Sequence, residues 1–270
     1  MEADMSIDYE VVRQGIARIH LNRPKSRNPI SPDDARNILT HLQTAHADPK
    51  VRVVVFSGEG EHFCSGADLV AYEELMKSVR NGETPISAYT AVLKDCADIV
   101  RLLRTPDLFS IAAVKGWTVG QGLEMAIASD FIIAAEDTRF YFAETQIGLT
   151  MTSGCAKLLP MMVGLANARR LMLFSEKLSA DEAERMGLVA KRVPVDDLLD
   201  TAFAMAEHLA GGAPLGLSHQ KRFIDLGLSM DLCAVQDLEM HAAAWLGLTE
   251  DALEADRAFV EKRPPRFQGA

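Results

Sequence analysis

Two acidic residues lie in apolar stretches of the sequence, where a carboxylate is costly unless it is paired or neutral. Glu124 follows Gly120-Gln121-Gly122 in GWTVGQGLEMAIASD, and Glu144 lies in RFYFAETQIGLT. Burial raises a carboxyl pKa, so one acid of such a pair can hold a proton near neutral pH while the other accepts one. Each residue alone could equally reach the surface or pair with an arginine. Together they indicate a two-carboxylate acid–base site.

Two glycine-bearing loops each follow an apolar run and precede a predicted helix. They read GEGEHFCSGADL at residues 58–69 and GWTVGQGLE at residues 116–124. Such turns leave backbone N–H groups free at a helix start, where they bind an anionic oxygen. Both loops lie at the carboxyl ends of predicted parallel strands, the edge at which open α/β folds bind ligands. The pattern therefore predicts an oxyanion hole with one N–H group from each loop.

The residues of these loops do not support nucleotide binding or nucleophilic catalysis. A dinucleotide fingerprint would need glycine at position 63, which is Phe63, and no Walker phosphate-binding motif occurs. Ser65 and Cys64 lie outside a G-x-S-x-G nucleophile elbow. His62 is too close to them along the chain to be an obvious base. Asp68 is most simply a helix cap.

The composition favours a globular protein over a nucleic-acid or membrane protein. The 270 residues are 48% apolar and carry a formal net charge of −10, without a long basic block that would attract a phosphate backbone. Four scattered cysteines with no C-x-x-C pair fit a reducing compartment and predict no metal site. The acidic start lacks an apolar secretory segment, and no apolar run reaches membrane-spanning length. We expect a cytoplasmic protein that binds neither nucleic acid nor membranes.

The first 150 residues read as strands that alternate with helices. An alternating pattern over residues 9–24 predicts two strands around a turn, and Ser31-Pro32 predicts the start of a helix that ends near Asp48. Three later β-branched apolar runs are typical of strands covered on both faces. They span residues 51–58, 109–116 and 130–137, with predicted helices over about 86–104 and around residue 124. This order predicts a parallel sheet with helical crossovers.

Past residue 150 the pattern changes to helices, interrupted by one short strand in LVAKRVP. The predicted helices span about 153–162, 165–174, 179–187, 196–211, 214–228, 231–246 and 249–261. No Gly-, Ser- or Pro-rich linker separates them from the first part of the chain. We predict an α/β core with the catalytic loops over residues 1–195, and a helical region over residues 196–270 that is part of the same unit.

Several segments, in this order along the chain, resemble the enoyl-CoA hydratase/isomerase (crotonase) family. They are IARIHLNRPKSRNPIS, RVVVFSGEGEHFCSGADL, AAVKGWTVGQGLEMAIASDFIIAAEDTRFYFAETQIGL, LSADEAERMGLVAKRVP and AFVEKRPPRF. Together they extend over nearly the whole chain, so the resemblance is far more specific than a single glycine motif. It implies a crotonase-like α/β fold, a β-β-α spiral whose helical C-terminal region builds trimers, usually paired into hexamers.

The resemblance implies an acyl-CoA thioester as the substrate and assigns a role to each candidate residue. The backbone N–H groups of Ala67 and Gln121 would form the oxyanion hole that holds the thioester oxygen. Glu124 would assist the attack of water at the β-carbon, and Glu144 would deliver a proton to the α-carbon. No cofactor and no metal ion is implied, since coenzyme A is part of the substrate.

The resemblance also implies contacts to coenzyme A. The backbone around Lys25, Ser26 and Arg27 would contribute, and Lys262 would reach the phosphates from its own or a neighbouring subunit. These three cations in the chain, Lys25, Arg27 and Lys262, could equally be solvated surface charges. The implied contacts from the first glycine-bearing loop are made by Ser65, Gly66, Asp68 and Leu69.

Two departures from the family pattern bear on the substrate and the reaction. Gln121 stands where many relatives have the middle of three glycines, so its side chain must point away or take part in binding. The segment GLTMTSG after Glu144 lacks the proline of the common G-x-x-P pattern, which implies a reshaped acyl pocket. We expect hydration of a 2-enoyl-CoA. Double-bond isomerisation, thioester hydrolysis and CoA-thioester binding without turnover are the alternatives.

Overall fold

The computed structural model describes residues 6–270, in which two β-sheets are wrapped by helices. The strands are β1 (Ile7–Arg13), β2 (Ile16–Leu21), β3 (Val53–Gly58), β4 (Phe109–Val114), β5 (Trp117–Val119), β6 (Phe131–Ala135), β7 (Arg139–Tyr141), β8 (Leu178–Ser179) and β9 (Lys191–Val193). The larger sheet has the order β1-β2-β3-β4-β6-β9, and the smaller has the order β5-β7-β8. In the larger sheet only β1 and β2 pair antiparallel, and the other neighbouring pairs are parallel. The predicted parallel sheet is therefore confirmed.

The helices follow the predicted order closely. They are α1 (Pro32–Ala47), α2 (Leu69–Arg80), α3 (Ile86–Leu103), α4 (Gly120–Ala128), α5 (Cys155–Val163), α6 (Leu165–Leu173), α7 (Ala180–Arg185), α8 (Leu198–Ala210), α9 (Pro214–Gly227), α10 (Leu232–Leu246) and α11 (Glu250–Glu261). Helix α1 begins as predicted, because Ser31 and Asp34 form a capping box and Pro32 is its first residue. Asp68 caps α2 by accepting a hydrogen bond from Ala71 N, which confirms the predicted cap.

Strand β3 is buried on both faces because its side chains alternate between two hydrophobic cores. Val54 and Phe56 belong to the core that includes residues of α1, α3 and α4. Val53 and Val55 belong to the core beneath α8. Full burial of such a side chain contributes about 1.5–3 kcal/mol to stability. The two covering layers explain why this strand is a continuous apolar run without polar alternation.

The smaller sheet was not predicted from the sequence as a sheet, although it positions the candidate site. Its strands have only two or three residues, too few to produce a recognisable period. Strand β5 leads directly into α4, and β7 directly precedes the turn that carries Glu144. Parallel pairing of β5 with β7 therefore brings the two segments that carry the acids side by side.

Helix α4 is held at both ends by close contacts. At its start, a methyl group on Gly122 would lie 2.4 Å from Cys64 Cβ, so only glycine allows this approach to the first loop. Just past its end, the buried Asp130 carboxylate accepts hydrogen bonds from Lys221 Nζ of α9 at 2.9 Å and from Ser110 N of β4 at 2.8 Å. These contacts fix α4 relative to β4, the first loop and α9.

The C-terminal helices leave a broad apolar surface exposed. The exposed side chains on or next to α9, α10 and α11 include Ile224, Leu228, Leu232, Met240, Trp245, Leu248, Phe259 and Val260. Exposed apolar surface of this extent is typical of protein–protein interfaces. The predicted trimer or hexamer and the division at residue 195 stay predictions. Within residues 6–270, no helix is long and apolar enough to cross a bilayer.

Candidate active site

A cavity of about 520 Å³ lies where the two glycine-bearing loops and the turn after β7 meet. Glu124 and Glu144 both line it, and so do Ala67 and Gln121, which were predicted to supply the oxyanion hole. Three of the residues predicted to contact coenzyme A also line this cavity: Ser65, Gly66 and Leu69. The structure thus brings the four residues of the predicted reaction site to one cavity.

Backbone pairing holds the two loops together. Cys64 N donates to Trp117 O at 3.0 Å, and Val119 N donates to Cys64 O at 3.0 Å. Next to this bridge, Gly66 adopts φ +97°, and a methyl group there would lie 3.3 Å from Val119 O. Glycine is needed at this position because other residues rarely adopt such a φ.

The two predicted oxyanion donors come from differently built segments. Ile30 donates its N–H to Gly66 O and accepts from Asp68 N, both at 2.8 Å, so the intervening Ala67 N–H points to the side away from Ile30. Gln121 is the second residue of α4, where the helix leaves N–H groups without intrahelical acceptors. Val119, at the N-cap position, has no side-chain acceptor for them. Within residues 6–270 neither N–H group has a hydrogen-bond partner, so both can bind a ligand oxygen.

Glu124 is buried and held by backbone donors. Its side chain is 3% exposed, and its Oε2 accepts hydrogen bonds from Ser153 N at 2.8 Å and Thr152 N at 3.2 Å. Burial raises the pKa of this carboxyl, while these hydrogen bonds oppose the rise because they stabilise the ionised form. Thr152 and Ser153 directly precede α5, so the positive end of that helix also favours a carboxylate here.

Glu144 is buried with weaker support, because the backbone N–H groups of Glu144 and Ala143 lower its pKa by less than burial raises it. It is 9% exposed and begins a 3-10 turn over Glu144–Ile147. Within residues 6–270, its Oε2 is buried and has no hydrogen-bond partner. Burial, followed by the charge of Glu124, raises the pKa of Glu144 to about 7. A methyl group on Gly120, where φ is +48°, would lie 2.8 Å from Glu144 Oε1, so glycine at 120 makes room for this carboxyl.

The side chain of Gln121 lines the cavity and does not point away from it. Its Nε2 donates a hydrogen bond to Cys96 Sγ at 2.9 Å. The hydroxyl of Tyr72 lies 4.0 Å from the same sulfur. All three residues line the cavity, and neither Tyr72 nor Cys96 was a candidate from the sequence.

Three predicted contacts to coenzyme A lie outside the cavity, on the segment that precedes α1. Lys25 and Ser26 are exposed on a 3-10 turn over Pro24–Ser26, and Arg27 follows it. The backbone of this segment joins the first loop, since Ser65 N donates to Arg27 O at 2.9 Å. Arg27 is thus bonded directly to the cavity-lining Ser65, and Lys25 and Ser26 precede it along the chain.

Asp68 and Lys262 do not line the cavity either. The Asp68 carboxylate caps α2 and pairs with Arg23 at 3.0 Å, so its described contacts are structural. Lys262 is exposed at the C-terminal end of α11, where it adopts φ +53°. Its predicted contact with a phosphate therefore stays a prediction.

The helical wall of the cavity was not predicted. Leu69, Tyr72 and Met76 form one face of α2, and Tyr89, Leu93 and Cys96 form one face of α3. The spacing of three or four residues is that of a helix face. This signal is present in the sequence, but charged residues interrupt the α2 segment, whose sequence is LVAYEELMKSVR.

Sequence comparison identifies relatives along the whole chain. The sequence model of the enoyl-CoA hydratase/isomerase family matches residues 12–270. A Rhodobacter capsulatus protein described as a probable enoyl-CoA hydratase is 34% identical over 264 residues, with 98% of each chain covered. The (E)-benzylidenesuccinyl-CoA hydratase of Thauera aromatica is 33% identical over 269 residues, which cover 98% of this chain and 100% of that protein.

Structural comparison agrees with the sequence relatives. The crystal structure of enoyl-CoA hydratase from Bacillus anthracis matches with a TM-score of 0.88 at 29% identity, covering 98% of this chain and 100% of that one. The predicted crotonase-like α/β fold with C-terminal helices is confirmed by this match. From the family match and these relatives, the chain belongs to the enoyl-CoA hydratase/isomerase family.

Proposed function

We propose that this protein is an enoyl-CoA hydratase, which adds water across the 2,3 double bond of an enoyl-CoA thioester. The observation that carries the proposal is the unequal pair of carboxyls in one cavity. Glu124 is held by two backbone N–H groups, whereas Glu144 has a buried free oxygen and a pKa raised to about 7. Hydration needs one group that accepts a proton and one that donates a proton at the same time.

In this reaction the two acids act on opposite ends of the double bond. The ionised Glu124 accepts a proton from water as the water oxygen attacks the β-carbon. At the same time the protonated Glu144 delivers its proton to the α-carbon. The step leaves Glu124 protonated and Glu144 ionised. Loss of a proton from Glu124 to solvent and gain of one by Glu144 restore the starting state, so one water molecule is added in total.

The backbone N–H groups of Ala67 and Gln121 polarise the thioester carbonyl in this proposal. Negative charge develops on the carbonyl oxygen when water attacks the conjugated β-carbon. Two N–H donors in a partly dry cavity stabilise that charge, and loss of one such donor typically costs about 100–1,000-fold in rate. Their common location in the cavity, on two loops joined by backbone pairing, supports this role.

The rest of coenzyme A lies along the first loop and the segment before α1 in this proposal. Ser65, Gly66 and Leu69 line the cavity, and Lys25, Ser26, Arg27 and Asp68 lie on backbone segments joined to it. Lys262 supplies a positive charge for the phosphates from its own or a neighbouring subunit. The reaction uses no cofactor beyond the coenzyme A of the substrate. Trimeric or hexameric assembly and a cytoplasmic location belong to this proposal.

The test is to follow the loss of absorbance of the conjugated thioester when the protein is mixed with crotonyl-CoA and longer 2-enoyl-CoAs. We expect hydration by the wild type and a loss of at least about 100-fold in Glu144→Gln, since that variant has no proton to donate. Glu136→Gln, an exposed acid after β6, is the matched control and keeps wild-type activity.

Other outcomes separate the alternatives. Conversion of a 3-enoyl-CoA without hydration of any 2-enoyl-CoA assigns the protein to double-bond isomerisation. Release of free coenzyme A assigns it to thioester hydrolysis. A change of less than about tenfold in Glu144→Gln contradicts the two-acid mechanism, and no turnover of any thioester indicates a binding protein.

A further inference from the structure

The acyl side of the cavity combines apolar side chains with an inward-facing polar group. Leu69 and Met76 of α2 and Leu93 of α3 supply apolar surface. Between them lie the phenol of Tyr72 and the amide of Gln121, which we call the polar pair. A compartment built only for an unbranched alkyl chain has no need of two polar side chains, because polar groups facing alkane lose their hydrogen bonds with water.

Both side chains of the polar pair lie near the same weak hydrogen-bond acceptor, the sulfur of Cys96. Gln121 Nε2 donates to Cys96 Sγ at 2.9 Å, and the hydroxyl of Tyr72 lies 4.0 Å from the same atom. A thiol sulfur is a poor hydrogen-bond acceptor compared with an oxygen. An oxygen atom of a ligand would therefore be a better partner for both donors. Burial of Tyr72 raises its pKa, so the phenol is neutral and able to donate.

The charges around the polar pair disfavour an anionic partner. The charge of Glu124 contributes to raising the pKa of Cys96, which places the polar pair within the field of that carboxylate. The positive charge of Arg80 on the cavity wall is paired with Glu73 at 3.2 Å. A second carboxylate would be repelled by Glu124, whereas a neutral carbonyl oxygen would not.

We propose that Tyr72 and Gln121 select an acyl group that carries a neutral hydrogen-bond-accepting oxygen within its first few carbons beyond the thioester. This inference rests on the proposed function, because it takes the backbone N–H of Gln121 as a donor to the thioester oxygen. The side chain of the same residue then reaches the acyl carbons next to that carbonyl. Tyr72 and Gln121 are specificity residues here and take no part in proton transfer.

The experiment compares two saturated thioesters that bind without reacting by hydration. 4-Oxopentanoyl-CoA and 4-methylpentanoyl-CoA have the same number of heavy atoms and differ in a carbonyl oxygen against a methyl group. Calorimetric titration measures the dissociation constant of each. We expect the wild type to bind the oxo ligand at least about tenfold more tightly, as two neutral hydrogen bonds would give.

Two matched phenylalanine variants test which phenol is responsible. Tyr72→Phe keeps the ring and loses the hydroxyl, and we expect its preference for the oxo ligand to fall below about threefold. Tyr9→Phe, in β1 and outside the cavity, is the control and keeps the wild-type preference. Because both changes keep the aromatic ring, circular dichroism and a melting curve suffice to check folding.

The binding measurement and the hydration assay test this inference and the proposed reaction independently of each other. Equal binding of the two ligands by the wild type, or an unchanged preference in Tyr72→Phe, contradicts the role of the polar pair. A protein that prefers the oxo ligand but hydrates no 2-enoyl-CoA contradicts the proposed reaction and supports the binding preference.

Discussion

The two glutamates of the cavity have the same side chain but lie in very different surroundings. Glu124 is on a regular helix that is fixed at both ends, and two backbone N–H groups bind its carboxylate. Glu144 is on a single 3-10 turn, and its free oxygen faces no donor within residues 6–270. Burial raises the pKa of both carboxyls, but the backbone hydrogen bonds oppose the rise at Glu124 and so favour its ionised form beside a Glu144 with a pKa of about 7.

The sharpest way to test this difference is to remove each carboxylate in turn. We expect Glu124→Gln and Glu144→Gln each to lower kcat for hydration by about 100- to 10,000-fold. The double variant should lose little more than either single variant, because the two groups act in one step. Steady-state kinetics with crotonyl-CoA measures all three. A single variant that keeps most of the activity would indicate a reaction served by one acid.

The next largest effect is expected when the space that Gly120 leaves beside Glu144 is filled. Gly120→Ala places a methyl group 2.8 Å from Glu144 Oε1, and we expect kcat to fall by about 100-fold as the carboxyl is displaced. Gly148→Ala is the control, since Gly148 also has a positive φ of +73° but nothing lies within 4 Å of its added methyl group. Both variants share the backbone strain, so only the first should lose activity beyond what its melting temperature explains.

The pH dependence of hydration follows from the raised pKa of Glu144. The carboxyl is protonated below a pH of about 7 and can donate only in that form. We expect kcat/KM for hydration to fall about tenfold per pH unit above pH 7. The residual activity of Glu144→Gln should lack this decline. A wild-type profile that is flat between pH 6 and 9 would contradict the assignment of Glu144 as the acid.

The smallest expected effect is on stability. Unfolded Glu144 has an ordinary pKa of 4.5, below its folded value of about 7, so the folded state binds more protons between these values. Stability from the neutral carboxyl is therefore fully present below about pH 4.5 and is lost as the pH rises through 7. Between pH 4.5 and pH 8, the free energy of unfolding of Glu144→Gln should therefore rise by about 1–3 kcal/mol relative to that of the wild type.

Urea unfolding at the two pH values measures this gain. Glu136→Gln, at an exposed position, serves as the control and should show the same difference from wild type at both pH values. If the difference in free energy of unfolding between Glu144→Gln and wild type is the same at both pH values, Glu144 ionises in the folded protein as freely as in the unfolded chain.

Long periodic elements and capping residues made most of the fold predictable. The run at 51–58 and the Ser31-Pro32 start each contain their own signal, and both elements formed where expected. The smaller sheet could not be predicted, because strands of two or three residues are defined by pairing and not by a local pattern. The convergence of Glu124 and Glu144 on one cavity depends on that pairing, so the sequence indicated the two acids but not the arrangement that joins them.

The cavity wall from α2 and α3 shows a second limit of sequence reasoning. Tyr72 and Cys96 belong to different helices and meet only in the folded chain, with Gln121 between them. Gln121 was singled out because it departs from the glycine pattern of the family, but the direction of its side chain depends on a partner that no local motif specifies. Contacts of this kind require tertiary structure.

The anchoring of α4 has a consequence for the placement of Glu124. Cys64 packs against the start of the helix, and the salt bridge between Asp130 and Lys221 lies just past its end. The position of Glu124 is therefore fixed from both sides. Glu144, in contrast, lies on a separate turn of four residues. Because Lys221 belongs to α9, the C-terminal part of the chain helps to hold the helix that carries Glu124.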